Sequence, residues 1–126
     1  MRIICLCLAL HVMLPLVNSQ QYLFTSALFP VYKNGFWGFI DSQGRVVIEP
    51  RFHNVGLYAE GLAPARLGAL YGYINTFGDF VIPPKFDYCE PFIGKYAISY
   101  IGVKPYVINR SGEVAFDHQF DQVKFS

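Results

Sequence analysis

The sequence predicts an all-β protein made of tandem repeats of about 34 residues, each holding three short antiparallel strands. The repeat is the first observation behind this. Phe39-Ile40-Asp41-Ser42-Gln43-Gly44 returns as Tyr73-Ile74-Asn75-Thr76-Phe77-Gly78, and again as Val107-Ile108-Asn109-Arg110-Ser111-Gly112, with no gap in the register. Composition is the second: aromatic residues make up 17% of the chain, which favours strands. The third is an Asx-x-x-Gly tetrapeptide between two apolar runs in every copy, which is hairpin chemistry.

Residues 1–19 stand outside the repeat. Arg2 precedes an apolar run from Ile3 to about Val17, and Val17 and Ser19 occupy the −3 and −1 places of a small-residue cleavage site. The expectation is a signal peptide removed before Gln20. A membrane anchor needs about 20 apolar residues, and this run is shorter and interrupted by His11 and Pro15. Cys5 and Cys7 would leave with the leader, so Cys89 has no partner for a disulfide within the mature chain. No Cys follows the expected cut, unlike the leader of a bacterial lipoprotein.

The remaining chain, 20–126, reads as one β-repeat domain with units at 35–68 and 69–102 and partial units at 23–34 and 103–126. Within a unit, Phe36–Asp41 and Val46–Ile48 form an aromatic and β-branched hairpin. Asp41, Asn75 and Asn109 open its turn, and Gly44, Gly78 and Gly112 close it in the left-handed conformation. Pro50 and Pro84 are expected to stop the second strand, because proline donates nothing to a ladder. A third strand at Leu62–Leu67 or Tyr96–Ile101 precedes the next hairpin. Downstream columns keep their character: Phe52, Phe86 and Phe120 align, as do Val55, Cys89 and Val123. Because the strands are apolar on both faces, neighbouring units must bury one another. An open array follows, with a closed three-fold arrangement second and a β-trefoil third.

The first unit reads Phe36-Trp37-Gly38-Phe39-Ile40-Asp41-x-x-Gly44-x-Val46-Val47-Ile48-x-Pro50-x-Phe52, then Tyr58-Ala59-Glu60-Gly61-Leu62-Ala63. This resembles the WG-repeat (KWG) family, over nearly all of 23–126. The Trp-Gly pair becomes Tyr71-Gly72 and then Pro105-Tyr106, and the Glu-Gly-Leu-Ala ending becomes Gly94-Lys95-Tyr96-Ala97. The resemblance implies a β-rich, often exported and mostly bacterial protein with no agreed biochemical activity.

Charge excludes some functions. Lys+Arg is 10 against Asp+Glu 9, and loss of Arg2 would make them equal, so there is no basic field for nucleic acid or an anionic membrane. A charged fraction of 15% beside 53% hydrophobic residues excludes a disordered chain. Catalytic chemistry finds little support. Cys89 sits in a column of medium apolar side chains, as a core thiol does. His53 and His118, with Asp117 and Asp121, could serve as a metal or acid–base group, yet the histidines fall in different columns. Asn109-Arg110-Ser111 is a glycosylation sequon at a turn tip. Trp37, Tyr58, Tyr71, Tyr73, Phe92 and Tyr96 are the candidate binding surface, as stacking rings for sugars or peptides.

The expected protein is therefore an exported, non-enzymatic binding or interaction module for a protein or glycan, with no cofactor. If bacterial, it would be periplasmic or on the cell surface. A small secreted hydrolase using His118 or Cys89 is one alternative. Another is one unit of a larger repeat assembly, self-associating through strand edges.

Overall fold

A computed structural model describes residues 27–116; the expected leader, Asp117, His118 and Asp121 lie outside the described residues. The described residues form eleven strands and no helix: β1 (Phe29–Lys33), β2 (Phe36–Ile40), β3 (Val46–Phe52), β4 (Asn54–Val55), β5 (Ala63–Leu67), β6 (Leu70–Ile74), β7 (Phe80–Phe86), β8 (Tyr88–Cys89), β9 (Ala97–Ile101), β10 (Lys104–Ile108) and β11 (Val114–Phe116). They make three antiparallel sheets, β1-β2-β3, β4-β5-β6-β7 and β8-β9-β10-β11, with no closed barrel. The starts of β2, β6 and β10 repeat the 34-residue step of the sequence. Each sheet is half a unit out of phase with the sequence repeat. The middle one takes β4 and β5 from residues 35–68 and β6 and β7 from 69–102.

Local chemistry sets the hairpins. At the first Asx turn, Gly44 N–H donates to Asp41 O at 3.0 Å and Asp41 N–H to Arg45 O at 2.9 Å. The carboxylate accepts from the backbone N–H groups of Gln43 and Arg45, both at 2.9 Å. Asn75 and Asn109 make the same bonds in their own copies. Gly44, Gly78 and Gly112 have φ of 81°, 86° and 83°, one backbone conformation used three times. At the opposite ends of the sheets, two-residue turns join β1 to β2, β5 to β6 and β9 to β10.

Two features differ from expectation. Each of the later sheets gains a fourth strand of two residues, β4 or β8. In addition, Pro50 and Pro84 do not end their strands: β3 and β7 run on to Phe52 and Phe86. The ladder accommodates them by slipping. Phe39 pairs with Ile48 but Trp37 pairs with Phe52, so the partner strand bulges outward over Gly38. A Cβ at Gly38 would overlap Ile48 O and lie 2.6 Å from Pro50 N; one at Gly72 would overlap Ile82 O and lie 2.8 Å from Pro84 N. The glycine of the Trp-Gly pair is thus the place where the bulge presses on the strand beneath it. The third copy has Tyr106 in that column.

The cores lie between sheets. Phe39, Ile48 and Phe52 of the first sheet meet Ala63, Ala65 and Ile74 of the second. In the next junction Tyr73, Ile82 and Phe86 meet Cys89, Phe92, Ala97 and Ile108. Phe39 and Tyr58 stack edge-on at 4.7 Å, and Tyr73 and Phe92, one repeat later, at 4.8 Å. A cation closes each junction. Arg51 Nη2 donates to Gly78 O at 2.6 Å, and Lys85 Nζ to Gly112 O at 3.3 Å. Phe39 and Phe52 are buried in the first junction and Tyr71, Tyr73, Phe86 and Phe92 in the second, and burial at about 25 cal/mol per Å² makes stacking a main source of stability.

Candidate functional site

One row of side chains crosses all three sheets near the two-residue turns. In the first sheet Tyr32 and Trp37 are cross-strand partners with rings 5.0 Å apart. In the second, Arg66 lies between Asn54 and Tyr71 on the neighbouring strands. Asn54 Nδ2 donates to the Tyr71 hydroxyl at 2.7 Å. Tyr71 meets Tyr88 of the third sheet at 5.5 Å, and Tyr88 meets Tyr100 at 6.0 Å. The Tyr100 hydroxyl donates to Glu90 Oε2 at 2.9 Å, and the Glu90 carboxylate pushes this phenol's pKa up.

The row repeats because its columns do: Tyr32, Arg66 and Tyr100 are equivalent, as are Trp37 with Tyr71 and Asn54 with Tyr88. Tyr32 and Tyr88 stand 59% and 50% exposed. Exposed aliphatics stand at and beside the turns, namely Leu67, Leu70, Ile101 and Val103. Rings with fixed neighbours, interleaved with an amide, a guanidinium and a carboxylate, can stack on an apolar face and hydrogen-bond its polar edge.

The six rings singled out from the sequence do not share one surface. Tyr71, Tyr73 and Phe92 are buried, because they fill the second junction. Tyr58 is half-buried against the first junction, where its hydroxyl donates to Asn75 O at 2.6 Å. Burial raises the pKa of both Tyr58 and Tyr73 well above the ordinary phenol value. Trp37 and the edge of Tyr71 do join the row, and Tyr96 is exposed on the far face of the third sheet. Tyr32, Tyr88 and Tyr100 were missed. Their signal was the shared column of Tyr32 and Tyr100, which becomes meaningful only with strand pairing.

The remaining candidates among the described residues have structural duties. Cys89 is buried with its Sγ 3.4 Å from Ser99 Oγ, and burial raises the thiol pKa. That direction opposes activation as a nucleophile. His53 Nδ1 accepts the Gly68 N–H at 2.8 Å, and Asp87 Oδ2 accepts the Gly102 N–H at 2.6 Å. The His/Asp column therefore caps the β5–β6 and β9–β10 turns. Asn109 is half-buried, with Oδ1 engaged in its turn and Nδ2 3.4 Å from Glu113 Oε1. Among the described residues, no three His, Cys, Asp or Glu side chains converge on a metal-sized space.

The WG containing repeat family matches the chain twice, over residues 37–71 and 71–98. No curated protein and no solved structure matches it. The chain belongs to the WG-repeat family, and the matched segments run through both complete bulges at Gly38 and Gly72.

Proposed function

We propose that the chain is an exported, non-enzymatic binding module whose ligand, a glycan or an extended protein segment, lies along the row from Tyr32 to Tyr100. The observation that supports this most directly is the continuity of the row. Tyr32 and Trp37 are in ring contact in the first sheet, and contacts run from Asn54 through Tyr71 and Tyr88 to Tyr100 across the second and third, while Tyr32 and Tyr88 keep half or more of their surface open. A ligand with alternating apolar and hydroxyl or amide faces matches that alternation of rings and polar groups. Export rests on the leader at 1–19, and the buried thiol of Cys89 weighs against the hydrolase alternative.

Trp37 is the single tryptophan of the chain and lies in the row, so its emission reports occupancy directly. Titration with a panel of soluble oligosaccharides and extended peptides is expected to shift Trp37 fluorescence saturably for one ligand class. Tyr88→Ala should weaken that binding several-fold while the melting temperature stays close to the parent's. Hydrolysis of any panel member, or binding unaffected by both Tyr32→Ala and Tyr88→Ala, would overturn the proposal.

A further inference from the structure

The two ends of the array differ from its internal junctions in complementary ways. Inside, each junction sets rings against small residues: Phe39 and Tyr73 on one face, Ala63, Ala65 and Ala97, Ser99 on the other. At the far face of the third sheet, the ring column holds Val107 instead. A depression of about 170 Å³ opens there, lined chiefly by Pro91, Ile93, Tyr96, Ile98 and Val107. Ile93 at its rim is 85% exposed, and Tyr96 and Phe116, stacked at 5.5 Å, are 42% and 48% exposed. At the near face of the first sheet, the alanine columns hold Phe29 and Val31 instead, and Phe29 is 49% exposed. One end has lost a ring and the other has gained one. An apolar cavity of about 150 Å³ accommodates a benzene ring.

A second observation points the same way. At Gly78, the position of an absent Cβ is 3.0 Å from Ile48 of the preceding sheet; at Gly112 it is 2.8 Å from Ile82. Gly44 has the same backbone conformation, yet nothing lies within 4 Å of its Cβ position. The residue one repeat beyond Ile48 and Ile82 is Phe116, which is exposed at the far end.

We infer that a second copy of this chain docks head-to-tail, with Phe29 of one copy entering the depression at Val107 and Phe116 packing beside Gly44 of the next. The contact continues the repeat register across the chain boundary. It joins sheet faces, not strand edges, and adjoins the end of the aromatic row at Glu90, which lines the depression and accepts from Tyr100. Because the two surfaces differ, the association is heterologous and extends to filaments or closes to a ring.

Sedimentation of the chain as recovered from cells tests this. The parent's average mass should rise above the monomer's with concentration. Phe29→Lys and Phe116→Lys, each changing a half-exposed side chain on one end, should each remain monomeric with an unchanged circular dichroism spectrum and melting temperature. Mixed in equal amounts they should form a 1:1 dimer, since each retains the end the other has lost. Val107→Phe, which restores the internal ring without adding charge, should also weaken assembly, whereas Ile101→Lys at the end of β9 should not. A parent that is monomeric throughout, as when the chain's own residues beyond 116 occupy the face, would overturn the inference. So would assembly of the single variants like the parent, or a mixture that remains monomeric.

Discussion

The Tyr73 hydroxyl lies 3.0 Å from Ser99 Oγ inside the second junction, in the two places where the first junction sets Phe39 against Ala65. Tyr73 also donates to Glu90 O at 2.7 Å, so neither buried hydroxyl is left without a partner. The two junctions share one geometry but differ by a matched pair of oxygens. Removing one oxygen alone leaves its partner less well satisfied in a dry interior, at about 1–2 kcal/mol. Tyr73→Phe and Ser99→Ala should each destabilise by that amount. The double variant, which recreates the first junction's pair, should lose less than their sum by about 1 kcal/mol. Chemical denaturation of the four proteins measures the coupling, and strict additivity would refute it.

Glycine tolerance should divide by cause. Gly72→Ala forces a methyl group into backbone atoms of the bulge and is expected to cost about 3 kcal/mol or more. Gly68 has open space around its Cβ position but a φ of 71°, so Gly68→Ala pays only for the left-handed backbone, about 1–2 kcal/mol. Thermal melts of both variants distinguish steric overlap from conformational strain, and equal losses would remove the special role given to the Trp-Gly glycine.

His53 should be replaceable by the side chain its repeat partner uses. His53→Asp keeps an acceptor for the Gly68 N–H, as Asp87 does for Gly102, and should retain most of the stability. His53→Leu removes the acceptor and should cost about 1 kcal/mol in this exposed turn. The reverse order in denaturant midpoints would contradict the capping role.

Much of this was legible in the sequence, and the boundary is physical. Asp41, Asn75 and Asn109 disclose their turns because the turn bonds are local, spanning two and four residues. The 34-residue step likewise discloses the sheets. It does not disclose how sheets meet, since contacts across a junction join residues half a repeat apart, as Tyr71 with Tyr88 and Tyr73 with Glu90 are. For that reason Tyr73 and Phe92 read as surface candidates although they are core, and Tyr88 and Tyr100 went unnoticed. Pro50 and Pro84 read as strand ends because a bulge over Gly38 or Gly72 depends on the partner strand, which a single strand's composition cannot reveal.

Alkaline pH should unfold the protein through its buried phenols. Burial raises the pKa of Tyr58 and Tyr73 above the ordinary value of 10.0, so the folded chain holds protons that the unfolded chain has released. Where the native state binds more protons, stability falls as pH rises. The loss should begin near the unfolded value, about pH 10, and be absent at neutral pH. Tyr58→Phe, which gives up only the bond to Asn75 O, should move the alkaline unfolding transition to higher pH. An unshifted transition would assign it to other groups.

Cys89 should react only when the second junction opens. Its sulfur is buried among Tyr73, Ser99 and Phe92, and burial holds the thiol protonated at neutral pH, whereas alkylation requires both access and the thiolate. Iodoacetamide labelling of Cys89, followed by mass mapping of its peptide so that Cys5 and Cys7 do not interfere, should be slow in the native protein. The rate should rise with denaturant in step with unfolding. Tyr73→Ala, which deletes the ring covering the junction, should raise the native rate at least tenfold, because a destabilisation of about 3–5 kcal/mol increases the open population by more than that factor. Native labelling as fast as that of the unfolded chain would mean an accessible, activated thiol, and would return the hydrolase alternative to consideration.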